Sequence, residues 1–178
     1  MTDTPDPWKP PPHVVAQAVE SSTCSPCRSK RGVAIFGSYG GVISTGCNYK
    51  PSAFACDGSE ACKATCNAEA IHAEQQALLA AGRRADGADL LHVKTVDGAL
   101  VPSGGPSCVQ CSKLALVAGI QGVWLFHESG WKRYDVEEFH RLSLAARASS
   151  DAQTRQRVED AFQAGFNRGR QEKCDGRH

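Results

Sequence analysis

The spacing of apolar residues changes several times along this chain, and each change marks an element. From His13, "HVVAQAVESS" places Val14, Val15, Ala18 and Val19 at the spacing of a short amphipathic helix. Two β-rich runs follow, "GVAIF" at 32–36 and "GVISTG" at 41–46, parted by Gly-Ser-Tyr-Gly, which predicts a hairpin. A polar, Cys-rich loop runs from 47 to about 66. Residues 67–82 carry an apolar stripe of Ala70, Ile71, Ala77 and Leu78 and stop at Gly82, as a helix does. A strand at 89–96, a loop at 97–106 and a helix from Ser107, its expected N-cap, come next. After these come a strand at 122–128, a short fifth strand at "WKRY", a helix at 136–147 and a last helix over 151–169. Helices alternating with strands predict an α/β domain with a mixed sheet covered by helices. No internal repeat is present.

Length and composition set the frame. At 178 residues the chain is long enough for one domain with a sizeable core. The expected division is a Pro-rich arm at 1–12, the main domain at 13–150, and a C-terminal helix and tail at 151–178. Lys plus Arg total 20 against 19 Asp plus Glu, so net charge points to no polyanion. The N-terminus has five prolines and no apolar core, and no run approaches a membrane span. The expectation is a cytoplasmic protein with no membrane partner, whose nine cysteines are thiols serving metal or catalysis.

Two of them form Cys108-x-x-Cys111 at the start of a predicted helix, where unpaired N–H groups favour thiolates. His72 lies in the first turns of another. If these helix starts converge, His72, Cys108 and Cys111 give zinc three protein ligands and leave a position for water. Glu74, two residues beyond His72, points elsewhere on its helix. It can then reach that water, whose pKa zinc lowers, and carry its proton.

His72-Ala73-Glu74 followed by "GPSCVQC" at 105–111 resembles the zinc-dependent cytidine/deoxycytidylate deaminase superfamily. "CNYKP" at 47–51, "CRSKRGVAIF" at 27–36 and "HAEQQAL" at 72–78 resemble its deoxycytidylate branch. Gln76 stands where Asn is usual, and Ser107 intervenes between Pro106 and Cys108, where Pro normally precedes Cys directly. The resemblance covers about residues 13–135. It implies a three-layer cytidine deaminase-like fold with a central mixed five-stranded sheet, hydrolytic deamination of dCMP to dUMP, and a homo-oligomer. It also implies that Asn48 bonds the sugar. The pyrimidine edge is expected against backbone near Ala73 and Pro106, with Phe54 or Phe126 on the ring.

Between residues 21 and 56 there is no Asp or Glu, but there are Arg28, Lys30, Arg31 and Lys50. This local basic field suits a nucleotide phosphate. One rival reading is a cytosine or adenine deaminase acting within single-stranded DNA or RNA, with Trp124, Trp131 and Tyr134 as stacking groups. The other is a non-catalytic zinc-stabilised module, against which Glu74 argues. The hairpin also brings Cys24 and Cys27 towards the Cys-rich loop. There, with Cys62 and Cys66, and Cys56 as an alternative ligand, they could hold a second, structural zinc. Val158, Phe162 and Phe166, spaced by four, form a stripe expected to meet another subunit.

Overall fold

The computed structural model describes residues 9–51, 56, 57 and 59–175, with 63–65, 67, 68, 158, 159 and 161–175 described by backbone alone. Most of the Pro-rich arm, Phe54, and the side chains of Val158, Phe162 and Phe166 thus lie outside the described residues. Helix α1 (Pro12–Thr23) opens the fold with a proline at its first position, where the missing N–H costs nothing. Strands β1 (Lys30–Phe36) and β2 (Val42–Cys47) form the expected hairpin. Then come α2 (Glu60–Glu69), α3 (Ala73–Ala81), β3 (Asp89–Val96), β4 (Ala99–Val101), α4 (Val109–Val117), β5 (Gly122–His127), β6 (Gly130–Asp135) and α5 (Val136–Asp175).

The sheet is mixed, in the order β2-β1-β3-β5-β6, with only the β3–β5 pair parallel. These five strands are the expected ones. A sixth, β4, pairs with 94–96 of β3. Sequence patterning placed it in a loop, but Asp97 and Gly98 both take positive φ and turn the chain straight back on itself.

Strand alternation splits the core between two faces. Ala34, Phe36, Leu91, Val93 and Trp124 pack under α1 through Val14 and Ala18. Val33, Ile35, Leu90, Val123 and Leu125 face the layer of α3, α4 and α5. Burying these two apolar surfaces supplies the main driving force for the three-layer arrangement. At Gly32 a Cβ would strike the Ala18 carbonyl, so the α1 approach depends on its absence. At Gly46 a Cβ would lie 2.5 Å from the Ala73 carbonyl and 2.6 Å from the Ala77 nitrogen, so β2 admits α3 only as glycine.

The structure also departs from the expected helix over 67–82. Ile71 and Tyr49 exchange backbone hydrogen bonds of 2.8 and 3.1 Å. That bridge pulls 70–72 into extended conformation and divides the segment into α2 and α3. Ser59 starts α2 upstream, its hydroxyl accepting the Cys62 N–H at 3.0 Å. The two helices expected over 136–147 and 151–169 are one, since neither Gly nor Pro interrupts the chain between them. No helix among the described residues is long and apolar enough to cross a membrane.

Candidate metal centre

The break at 70–72 is what builds the site. It makes His72 the N-cap of α3, with extended backbone, while Glu74 falls in the first turn. The His72 N–H donates to Gln75 Oε1 at 2.8 Å, satisfying the cap from within the helix. Ser44 donates to the Ala77 carbonyl at 2.8 Å, and Gln76 accepts the Cys47 N–H at 2.6 Å, so β2 fixes the start of α3. Cys108, rather than the expected Ser107, is the N-cap of α4, its Sγ 3.5 Å from the Cys111 N–H. Both helices pack on one face of the sheet with their N-termini at one cavity.

There His72 Nδ1 lies 3.2 Å from Cys111 Sγ and 3.4 Å from Cys108 Sγ, and the two sulfurs are 3.4 Å apart. Among the described residues this is the trio of His, Cys, Asp or Glu side chains that could hold a metal, its ligand atoms all within 4.8 Å of one another. Tetrahedral zinc, with bonds of about 2.3 Å to sulfur and about 2.0 Å to nitrogen, spaces its ligands about 3.5–3.8 Å apart. The donor set and the triangle therefore fit zinc with a slight opening.

The two thiols share their charge unequally. The hydrogen bond between the two sulfurs outweighs burial and, with His72 and the Cys111 backbone N–H, brings Cys108 down to about 4. The same hydrogen bond, then burial and the charges of Glu74 and Cys108, push Cys111 far up. His72 is raised, chiefly by its contact with Cys108, against burial. The pair thus favours a thiolate at Cys108 over one at Cys111.

Glu74 is 6% exposed and shares the cavity, of about 350 Å³, with His72 and Cys108. Burial works against its charge. The His92 imidazole, the Ser107 hydroxyl and its own backbone N–H outweigh it and hold the carboxyl below the usual range. The Ser107 hydroxyl donates to Glu74 Oε1 at 2.5 Å. Burial likewise holds His92 down, against the raising effect of the Glu74 carboxylate. Sequence reasoning singled out neither contact. The inserted Ser107 was the available signal, since an extra residue between Pro106 and Cys108 must put its side chain somewhere near the ligand.

The remaining expected residues divide. Ala73, Pro106, Asn48 and Arg31 line the cavity. Asn48 uses its amide on backbone, accepting the Arg31 N–H at 2.8 Å and donating to the Ser29 carbonyl at 2.7 Å. Arg28 pairs with Glu60 on the surface, and Lys30 donates to the Ser25 carbonyl; both border a second cavity. Phe126 stands on the opposite face from the metal ligands, as alternation with Leu125 requires, and packs on Trp131 with ring centroids 5.0 Å apart. Of the rival stacking groups, Trp124 is a core residue that donates to Asp89 at 2.8 Å.

The second cavity is bordered by Cys27, Cys56, Cys62 and Cys66. Cys56 and Cys62 sulfurs are 3.5 Å apart, and burial and then the nearby Cys56 and Cys66 raise the Cys27 thiol. Cys24 is exposed and acts on Cys47 instead. Cys56 thus borders this cavity where Cys24 was expected, but among the described residues these cysteines form no second group with ligand atoms all within 4.8 Å of one another.

No protein-family model matches the chain, and no curated protein sequence does. Among solved structures it is similar to the dCMP deaminase of cyanophage S-TIM5 in apo form, at 25% identity and a TM-score of 0.46 over 62% of this chain and 77% of that one. It is similar to the cytidine deaminase of Mycobacterium tuberculosis at 19% identity and a TM-score of 0.45, over 68% and 87%. For the cytidine deaminase of Mycobacterium leprae the values are 20% and 0.42, over 68% and 90%.

Proposed function

We propose that this chain is a zinc-dependent hydrolytic deaminase of the cytidine/deoxycytidylate deaminase type, converting a cytosine nucleotide, dCMP, to dUMP with release of ammonia. One observation carries the reading: three ligand atoms that could hold a metal meet at two helix starts, with a buried carboxylate in the same cavity. A structural zinc has no use for that carboxylate, whereas a hydrolase needs a proton carrier beside its metal.

His72, Cys108 and Cys111 would hold the zinc, which when bound supplies water as a nucleophile at neutral pH. Glu74 would receive the two protons of the attacking water in turn, passing the first to ring N3 and the second to the amine leaving C4. Water and a C4–NH2 group become a C4 carbonyl and ammonia, so the atoms balance without oxidant or reductant. Ser107 holds Glu74 Oε1 while the carboxylate turns between donor and acceptor. Backbone at Ala73 and Pro106 meets the pyrimidine edge. A second zinc, on Cys27, Cys62 and Cys66 with Cys24 or Cys56 as fourth ligand, would require these sulfurs to close on the ion, and would tie α2 to the approach to β1.

The test joins turnover to elemental analysis. Purified protein is expected to deaminate dCMP in preference to a cytosine-containing oligonucleotide and to carry two zinc ions per chain. Glu74→Gln should lose at least about a thousandfold in kcat with both ions kept. A Cys62→Ala, Cys66→Ala pair should lose one ion. An active Glu74→Gln protein overturns the mechanism, and a single ion in the wild type overturns the second site.

A further inference from the structure

Two side chains on the cavity wall are left over by this chemistry. Arg31 in β1 and His92 in β3 lie two positions apart on one face, because Arg31 stands opposite Lys94 and Val33 opposite His92. That is the face on which α3 and α4 present Glu74 and the metal ligands, and both residues line the same cavity. The Arg31 guanidinium has five N–H donors. It donates through Nη1 to the Ser103 carbonyl at 3.1 Å, and no carboxylate among the described residues is within ion-pair distance of it. The Glu74 carboxylate is its nearby opposite charge, without an ion-pair contact, whereas a half-buried cation is ordinarily paired directly. His92 is an independent second case. It is 7% exposed, and its Nδ1 is the one buried side-chain nitrogen or oxygen among the described residues that has no hydrogen-bond partner. Leaving such a group unpaired costs stability, and the ring to which it belongs lines the cavity although this nitrogen is itself closed to solvent.

We propose that Arg31 and His92 together dock an acceptor oxygen of the substrate, a ring carbonyl or a phosphate oxygen. The identity of the ring rests on the deaminase reading above; the dock itself rests on the cavity. Arg31 brings charge-assisted donors in a fork, and His92 brings a ring N–H from the same wall. A purely structural Arg31 would clamp the loop before Cys108 through Ser103, which occupies one donor of five and makes no use of His92. An oxygen held by this pair sets how far the reacting ring sits from Glu74, so the dock selects substrates as well as binding them.

Calorimetric titration of the zinc-loaded full-length protein with dUMP and with deoxyuridine reads this without turnover. Arg31→Met should weaken dUMP binding about tenfold to a hundredfold, and His92→Phe about threefold to tenfold, with zinc content and melting temperature unchanged. Arg31→Lys should recover part of the loss. An equal loss for deoxyuridine puts the ring carbonyl in the dock, and a loss confined to dUMP puts the phosphate there. Wild-type affinity for both ligands in Arg31→Met overturns the proposal. If the wild type binds neither, the pyrimidine reading has failed, and titration with inorganic phosphate and acetate decides the dock. Binding that disappears in Arg31→Met then sustains it; equal binding, or none, in wild type and variant overturns it.

Discussion

Ser107 shows how much one inserted residue changes around a buried carboxylate. Its hydroxyl donates to Glu74 Oε1 at 2.5 Å inside a cavity where burial alone would drive the carboxyl towards its neutral form. Removing the donor takes away a bond made to the charged form, so the Glu74 pKa must rise. A carboxylate needed in its ionised form then works over a narrower range on the acid side. Ser107→Ala is therefore expected to shift the acid limb of the kcat/KM profile for dCMP to higher pH and to lower the plateau about tenfold, with zinc retained. A pH–rate profile that overlays the wild type would show that Ser107 does not act on Glu74. The trio that could hold a metal was legible in the chain: His72, Cys108 and Cys111 are residue types and spacings with few other uses. The partners of Glu74 were not, because Ser107 and His92 matter only through contacts between segments 15 or more residues apart in sequence, which no local pattern encodes.

At the scale of elements, periodicity found every strand of the main path and missed what depends on pairing between distant segments. The Tyr49–Ile71 bridge overrides a continuous helical pattern and makes His72 a cap, so the spacing of two between His72 and Glu74 follows from the break. Strand β4 was within reach of sequence, since Asp97-Gly98 is a strong hairpin signal. Gly46 was not, because its necessity comes from the closeness of α3. A Cβ there would press on the backbone of Ala73 and Ala77, neither of which can yield without moving the helix start. Gly46→Ala should thus cost about 1–3 kcal/mol, lowering the melting temperature by several degrees. Because the strain falls on Ala73, next to His72, zinc affinity should fall with it. Normal stability and zinc affinity in this variant would mean that β2 does not set the position of α3.

For the whole molecule, the open question is what the end of α5 is for. Among the described side chains of that helix Ser143 is the last buried one, and 144–157 are all exposed. The helical backbone nevertheless continues to Asp175. At about 1.5 Å per residue the part beyond Ser143 is close to 50 Å long, far more than an isolated helix sustains cheaply in water. Its sequence is largely polar but places Val158, Phe162 and Phe166 four apart. Such a stripe is the sequence pattern of a helix that gains its stability by meeting a second copy. The metal ligands, Glu74, Arg31 and His92 all lie before residue 112, and none of their contacts described above reaches past Ser143. Ending the chain after Arg147 should therefore leave the melting temperature within a few degrees of the full-length value and keep zinc and turnover. Light scattering should show the full-length protein as an oligomer at micromolar concentration and the shortened one as a monomer. A monomeric full-length chain, or a shortened chain that still assembles, would place the interface elsewhere, while loss of zinc on shortening would tie the helix to the site itself.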